Sequence, residues 1–276
     1  DMEIAHLLCS NSINHRRTLQ KLGAVDGDSV VQAVYGRIKE NYARVEATKN
    51  KNRSAQNWRW KCQQTKRGSR NKSPEVIVER DIASAAAVHC PDRWSNQVPV
   101  ASGLIDGARD GRRAIDLICK RAAGHFELIE LKIGSNTPLF AAIEILGYGC
   151  VWLQARADRQ ELSGELLEAS TIDLRVLAPA KFHESFALSH LEAELDQGVR
   201  ALGESLRVTM SVRFQVLDAR IAHDNMPRPM GGSQSLADPA ASMSFPTSRR
   251  VLSKPACSDA EASSMYRRRF TSIITA

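Results

Sequence analysis

Residues 114–134 read AIDLICKRAAGHFELIELKIG. Two short runs rich in Ile, Leu and Phe flank a polar RAAGH segment, which predicts a β-hairpin with the turn at 121–125. Side chains of one parity share a face of a strand. Along 126–133, Ile129, Leu131 and Ile133 line one side and Phe126, Leu128, Glu130 and Lys132 the other. Both faces are therefore largely apolar, as expected of a central strand. A five-residue turn pairs Lys120 with Phe126 and Ile118 with Leu128, and brings Asp116 opposite Glu130.

That pairing is costly without compensation. Opposed side chains across an antiparallel pair have Cβ atoms about 5 Å apart, and like charges there are destabilising. Burial adds a desolvation penalty to each carboxylate. Lys132 follows Glu130 by two residues, about 6.6 Å along a strand, so it offsets one acid but not both. A hard divalent cation shared by Asp116 and Glu130 removes the conflict, and oxygen ligands favour Mg²⁺, with Mn²⁺ as a substitute. The alternative is a buried Glu130–Lys132 ion pair with Asp116 on a solvated strand end.

Around the hairpin, helical and strand patterns alternate. Residues 29–48 place Val30, Val31, Val34, Tyr35, Ile38, Tyr42 and Val45 at helical spacing, with Asp28 or Ser29 as N-cap, after a shorter helix near 14–22. Ser73 and Pro74 open a helix running to about Cys90. A strand follows near 96–104, then the hairpin. Asn136 or Thr137 caps a helix ending near Gly147 or Gly149, and CVWLQAR (150–156) reads as a buried strand. Further on come a strand at 172–179, a helix at 185–202 and a strand at 208–218. Beyond about 221 the chain is rich in Pro, Gly, Ser, Met and Ala, and is expected to be largely disordered. The expected organisation is a helical segment at 1–48, a basic linker or arm at 49–72, an α/β domain at 73–218 and a tail at 219–276.

The net charge of +7 is unevenly spread. Residues 1–72 hold 15 Lys and Arg against 6 Asp and Glu, so the rest of the chain carries 23 against 25. The excess concentrates in KNKNRSAQNWRWKCQQTKRGSRNK (49–72), which has no acid and includes Trp58 and Trp60. Lysine and arginine neutralise phosphates and indole rings stack on unpaired bases, so this composition suits a nucleic-acid contact through Trp58, Trp60, Lys61, Lys66 and Arg67. A solvated linker is the alternative. Six scattered cysteines without a CxxC pair, no run of about 18 apolar residues and no secretory signal predict a reduced, cytoplasmic protein with no membrane partner.

Asp116, followed after a short hairpin by Glu130-Leu131-Lys132, resembles the D…ExK signature of the PD-(D/E)xK, or restriction-endonuclease-like, nuclease superfamily. The resemblance implies an α/β fold with an α-β-β-β-α-β core, its central mixed sheet flanked by helices, and here a helical N-terminal extension. Residues 74–156 have that order of elements, and 73–218 follow it more loosely. It further implies that Asp116 and Glu130 bind Mg²⁺, that the Leu131 carbonyl adds a ligand, and that Lys132 orients or activates the attacking water. Many members add a glutamate from the first core helix, a role Glu79 fits and for which Glu75 competes. The substrate implied is nucleic acid, DNA before RNA, guided by the basic arm and by Arg112 and Arg113; a homodimer is left open. The proline before the aspartate is Ile115 here. Some branches carry Gln and Tyr four apart after the lysine, where this chain has Glu144 and Tyr148, for which a surface pair is the simpler expectation. Gln97 is a further candidate whose face Pro99 leaves open.

Overall fold

The computed structural model of the chain describes residues 26–46, 57–60, 63–66, 73–100, 114–134, 137–157, 164–184 and 188–217. The short helix expected near 14–22, the tail at 219–276, and Lys61, Arg67, Arg112 and Arg113 lie outside them. The described elements are α1 (Gly27–Glu46), α2 (Pro74–His89), β1 (Trp94–Pro99), β2 (Ala114–Ala122), β3 (His125–Leu131), α3 (Pro138–Ala157), β4 (Thr171–Pro179), α4 (Ala180–Glu184), α5 (Leu188–Ser205) and β5 (Thr209–Leu217).

The strands form one mixed sheet in the order β1-β2-β3-β4-β5, with the first two pairings antiparallel and the last two parallel. Helices cover both faces, which makes this an α/β fold. On one face, Phe126, Leu128, Leu174 and Val212 of the sheet share a core with α3, with Leu191, Leu195 and Val199 of α5, and with Val30, Val34 and Ile38 of α1. On the other, α2 sets Val78, Ile82 and Ala86 against Trp94, Leu117, Cys119, Ile129 and Leu131. From α2 onward the elements run α-β-β-β-α-β before α4, α5 and β5.

The sequence misplaces the strand of that run. CVWLQAR is not a strand, because α3 passes Gly147 and Gly149 without stopping and continues to Ala157. A short apolar run is ambiguous between buried strand and buried helix. Gly149 serves close approach: a Cβ there meets Leu174 Cδ1 at 2.8 Å, so its absence lets α3 lie against β4. By length and composition α3 is apolar enough to cross a membrane, but most of it is buried inside this fold. The strand after α3 is β4 instead.

Smaller differences have local causes. Asp26 caps α1, its Oδ2 accepting the Ser29 N–H at 3.3 Å and the Ser29 hydroxyl at 3.0 Å, so neither Asp28 nor Ser29 is the cap. Ser73 precedes Pro74 in extended conformation without a side-chain cap bond. The hairpin turn is tighter than RAAGH: β2 extends to Ala122, β3 begins at His125, and Gly124 takes φ +68°. An irregularity between Lys120 and Ala122 absorbs the difference, leaving Lys120 opposite Phe126 and Ile118 opposite Leu128, as expected.

Both sheet edges are covered. At β5, Glu192 and Asp196, one turn apart on α5, accept the Phe214 and Val212 N–H groups at 2.7 and 2.8 Å. At β1, the Trp58 N–H donates to the Pro99 carbonyl at 2.8 Å and the Gln64 N–H to Asn96 Oδ1 at 2.7 Å. The described parts of the basic segment are thus packed along β1.

Candidate active site

The hairpin charges meet where β3 ends. Glu130 is 4% exposed and Lys132 6%. Their i, i+2 spacing puts both on one side, and Lys132 Nζ stands 2.6 Å from Glu130 Oε1. The Lys132 N–H donates to the Leu177 carbonyl at 3.0 Å, extending the β3–β4 pairing past Leu131 and fixing the lysine backbone. α3 closes over it: Glu144 Oε2 lies 3.1 Å from Nζ and the Phe140 ring 5.8 Å away. Glu144 is therefore part of this cluster and Tyr148 is buried, so the two are not a surface pair. Their apolar neighbours Ile143, Ile145 and Cys150, all buried, were the available sign that this stretch of helix faces inward.

Asp116 joins from β2. Its Oδ2 accepts the Leu131 N–H at 3.0 Å and its Oδ1 lies 3.4 Å from Gln97 Nε2. That amide also donates to Glu79 Oε2 at 3.0 Å, while Asn96 Nδ2 donates to Glu79 Oε1 at 2.6 Å. Glu79, 2% exposed, is thereby brought to the site from α2, with Arg80 Nη1 3.3 Å from its Oε1. Glu75 stands nearer the end of β3, its Oε1 accepting the Ile133 N–H at 3.4 Å. Asn96 also pairs with the Gln64 main chain, donating to its carbonyl at 3.0 Å, so the tryptophan segment and Glu79 hang on one buried amide.

The cluster holds Asp116, Glu130, Glu144 and Glu79 against Lys132 and Arg80. Burial drives the Asp116 carboxyl up to about 7, helped by repulsion from Glu79 and Glu144 and opposed by the Leu131 N–H and Lys132. Glu130 is also raised well above its ordinary value, by burial first and then by Asp116 and Glu144. Burial raises Glu79 as well, against its bonds from Asn96 and Gln97 and the charge of Arg80. For Lys132 burial favours the neutral amine, but the Glu130 and Glu144 carboxylates together override it and hold the ammonium protonated.

A hard divalent cation fits these residues. Glu130 Oε2 is buried with no hydrogen-bond partner, an arrangement that leaves a carboxylate oxygen undersatisfied beside a second acid that repels it. The donors are all oxygens, the choice of Mg²⁺ and Mn²⁺. Among the described residues no three His, Cys, Asp or Glu side chains are grouped to hold a metal by themselves, so a cation here would have Asp116 and Glu130 as its side-chain donors.

The expected nucleic-acid contacts fare unevenly. Trp58 is 4% exposed and packed in the core, so the indole expected to stack on bases is not presented at the surface. The ring of Trp60 is half-buried and edge-on to Phe126 at 4.9 Å. Both tryptophans are consumed by docking of their segment against the sheet, a tertiary event that local composition does not signal. Lys66 is exposed. A scan against protein-family models, a search of curated proteins and a search of solved structures each found no match to the chain.

Proposed function

We propose that this protein is a metal-dependent nuclease hydrolysing phosphodiester bonds, most readily in DNA, built on a restriction-endonuclease-like core. The observation that carries this reading is the buried Glu130 carboxylate, one oxygen on Lys132 and the other without a partner, next to an Asp116 whose charge opposes it. The α-β-β-β-α-β order from α2 to β4 supports it, as does the placement of Asp116 and the Glu130-Leu131-Lys132 triplet on the central hairpin.

Asp116 and Glu130 would hold Mg²⁺ or Mn²⁺, with the Leu131 carbonyl as a further oxygen. When bound, such a cation polarises the phosphodiester and lowers the pKa of water. Lys132, protonated between Glu130 and Glu144, acts as a fixed positive charge toward the developing negative charge of the reaction and not as a base. The Leu131 N–H holds the Asp116 carboxylate in place. The basic residues of 49–72 supply the approach for the phosphate backbone.

The test incubates the protein with plasmid, single-stranded DNA and RNA, in Mg²⁺ or EDTA, beside Lys132→Ala. Cleavage that needs Mg²⁺ and vanishes in the variant is expected. Absence of metal-dependent cleavage on every substrate overturns the reading in favour of a nuclease-like domain that binds nucleic acid without cutting. That alternative draws on one observation, the engagement of Lys132 by two carboxylates at once.

A further inference from the structure

Beside the carboxylates, β1 departs from strand geometry at one residue. Successive strand residues project to opposite faces, so Asn96 and Gln97 should diverge. Yet both amides reach the same carboxylate, Asn96 at Glu79 Oε1 and Gln97 at Glu79 Oε2. Gln97 achieves this with φ +50°, in the left-handed region that glycine adopts freely and glutamine rarely does.

The facing strand turns with it. Asn96 pairs with Leu117 and Val98 with Ile115, which sets Gln97 on the rung of Asp116. Trp94, Leu117 and Cys119 belong to the α2 core, whereas Val98, Val100 and Ile115 belong to the α3 core. Regular alternation keeps residues 94 and 98, and likewise 115 and 117, on one face. Both strands therefore change faces at the Gln97–Asp116 rung. A backbone held in a sparsely populated region persists only where its surroundings over-determine it, and such positions gather at functional sites.

We propose that Gln97 is a positioning residue, whose amide, anchored on the Glu79 carboxylate of α2, holds the Asp116 carboxylate of β2 in place for a divalent cation; this rests on reading the site as a metal-dependent nuclease. The left-handed backbone is the means by which a strand residue turns its amide to both acids. Glutamine supplies the amide there, although the backbone alone favours glycine. Asp116 and Glu130 would hold the metal; Gln97 acts through Asp116.

Gln97→Gly separates the two uses of the residue, because glycine keeps the φ and loses the amide. In metal-free buffer its Tm is expected to equal or exceed that of the wild type. Its Mn²⁺ affinity by calorimetry is expected to fall about 10- to 100-fold, with kcat falling alike and KM for DNA little changed. Gln97→Asn, which tolerates the same φ and carries a shorter amide, should recover part of the affinity. Wild-type Mn²⁺ affinity in Gln97→Gly overturns the proposal, as does a Tm that drops together with affinity, the mark of a merely structural residue. Wild-type protein that neither binds Mn²⁺ nor cleaves defeats the nuclease reading itself and the proposal with it, an outcome told apart by the wild type alone.

Discussion

β3 carries a buried glutamate near each end, and the two ends of the strand treat their acid differently. Near the hairpin turn, Glu127 is 5% exposed and lies between Arg121 Nε at 3.0 Å and Arg175 Nε at 3.5 Å. Its neighbour across the sheet, Asp173, accepts from Ser211 Oγ at 2.5 Å and has Arg175 Nη2 at 3.0 Å and His125 Nε2 at 2.7 Å. Burial alone would raise Asp173, but Ser211, Arg175 and His125 outweigh it and hold the carboxyl below its ordinary value. At the other end, Glu130 is equally buried, shares one lysine with Glu144 and feels the charge of Asp116, and both Glu130 and Asp116 are raised. Burial is common to the two ends; the supply of cations is not. One end is a balanced ion network that ties four strands together, and the other is short of positive charge in the manner of a site that takes a cation from solution.

The largest expected effect divides the two ends by activity. Lys132→Ala or Asp116→Ala should reduce Mg²⁺-dependent cleavage by at least about 10²- to 10³-fold, measured as initial rate on saturating DNA. Glu127→Ala should leave the activity of the folded protein unchanged and instead lower unfolding free energy by about 3–5 kcal/mol, since two arginines lose their buried partner. Equal losses of activity at the two ends would erase the distinction.

The pH dependence of stability should also run in opposite directions. The folded protein keeps a proton on Asp116 up to about 7, whereas the ordinary value is 3.8. In metal-free buffer this contribution is fully present below 3.8 and is lost as pH rises toward about 7, so Tm falls across that interval and Asp116→Asn flattens the slope. Mg²⁺ added above the folded value should restore stability by binding only the folded state. Asp173, being lowered, contributes stability that is present above its ordinary value and lost as pH falls through the depressed one. A smaller change is expected from Glu144→Gln: Lys132 keeps its contact with Glu130 at 2.6 Å, and cleavage should drop only about tenfold.

Much of this was legible in the sequence, for reasons that differ by residue. Period-two alternation around a glycine-bearing turn located β2 and β3 and their register, because one strand face cannot change without moving every side chain. The same alternation put Glu130 and Lys132 on one side. Alternation also implied that Asp116 simply opposes Glu130, and there the left-handed Gln97 and the change of faces intervene; no local propensity announces a positive φ at glutamine. CVWLQAR misled because β-branched and aromatic residues after two glycines satisfy a buried helix as well as a strand. Glu144 reads as half of a surface pair with Tyr148 because a lone acid on a helix looks solvated until its neighbours are known to be buried. Trp58 reads as part of a basic arm by composition, and its burial follows from a backbone bond to Pro99, about forty residues away in sequence, that composition does not encode.

The most direct measurement is a Mn²⁺ titration of the wild type, Glu130→Gln and Glu127→Gln by calorimetry. Saturable binding that is lost with Glu130 and kept with Glu127 is the expected result. Wild-type protein that takes up no Mn²⁺, or binds it undiminished after Glu130→Gln, would contradict the assignment of this end of the sheet as a cation site.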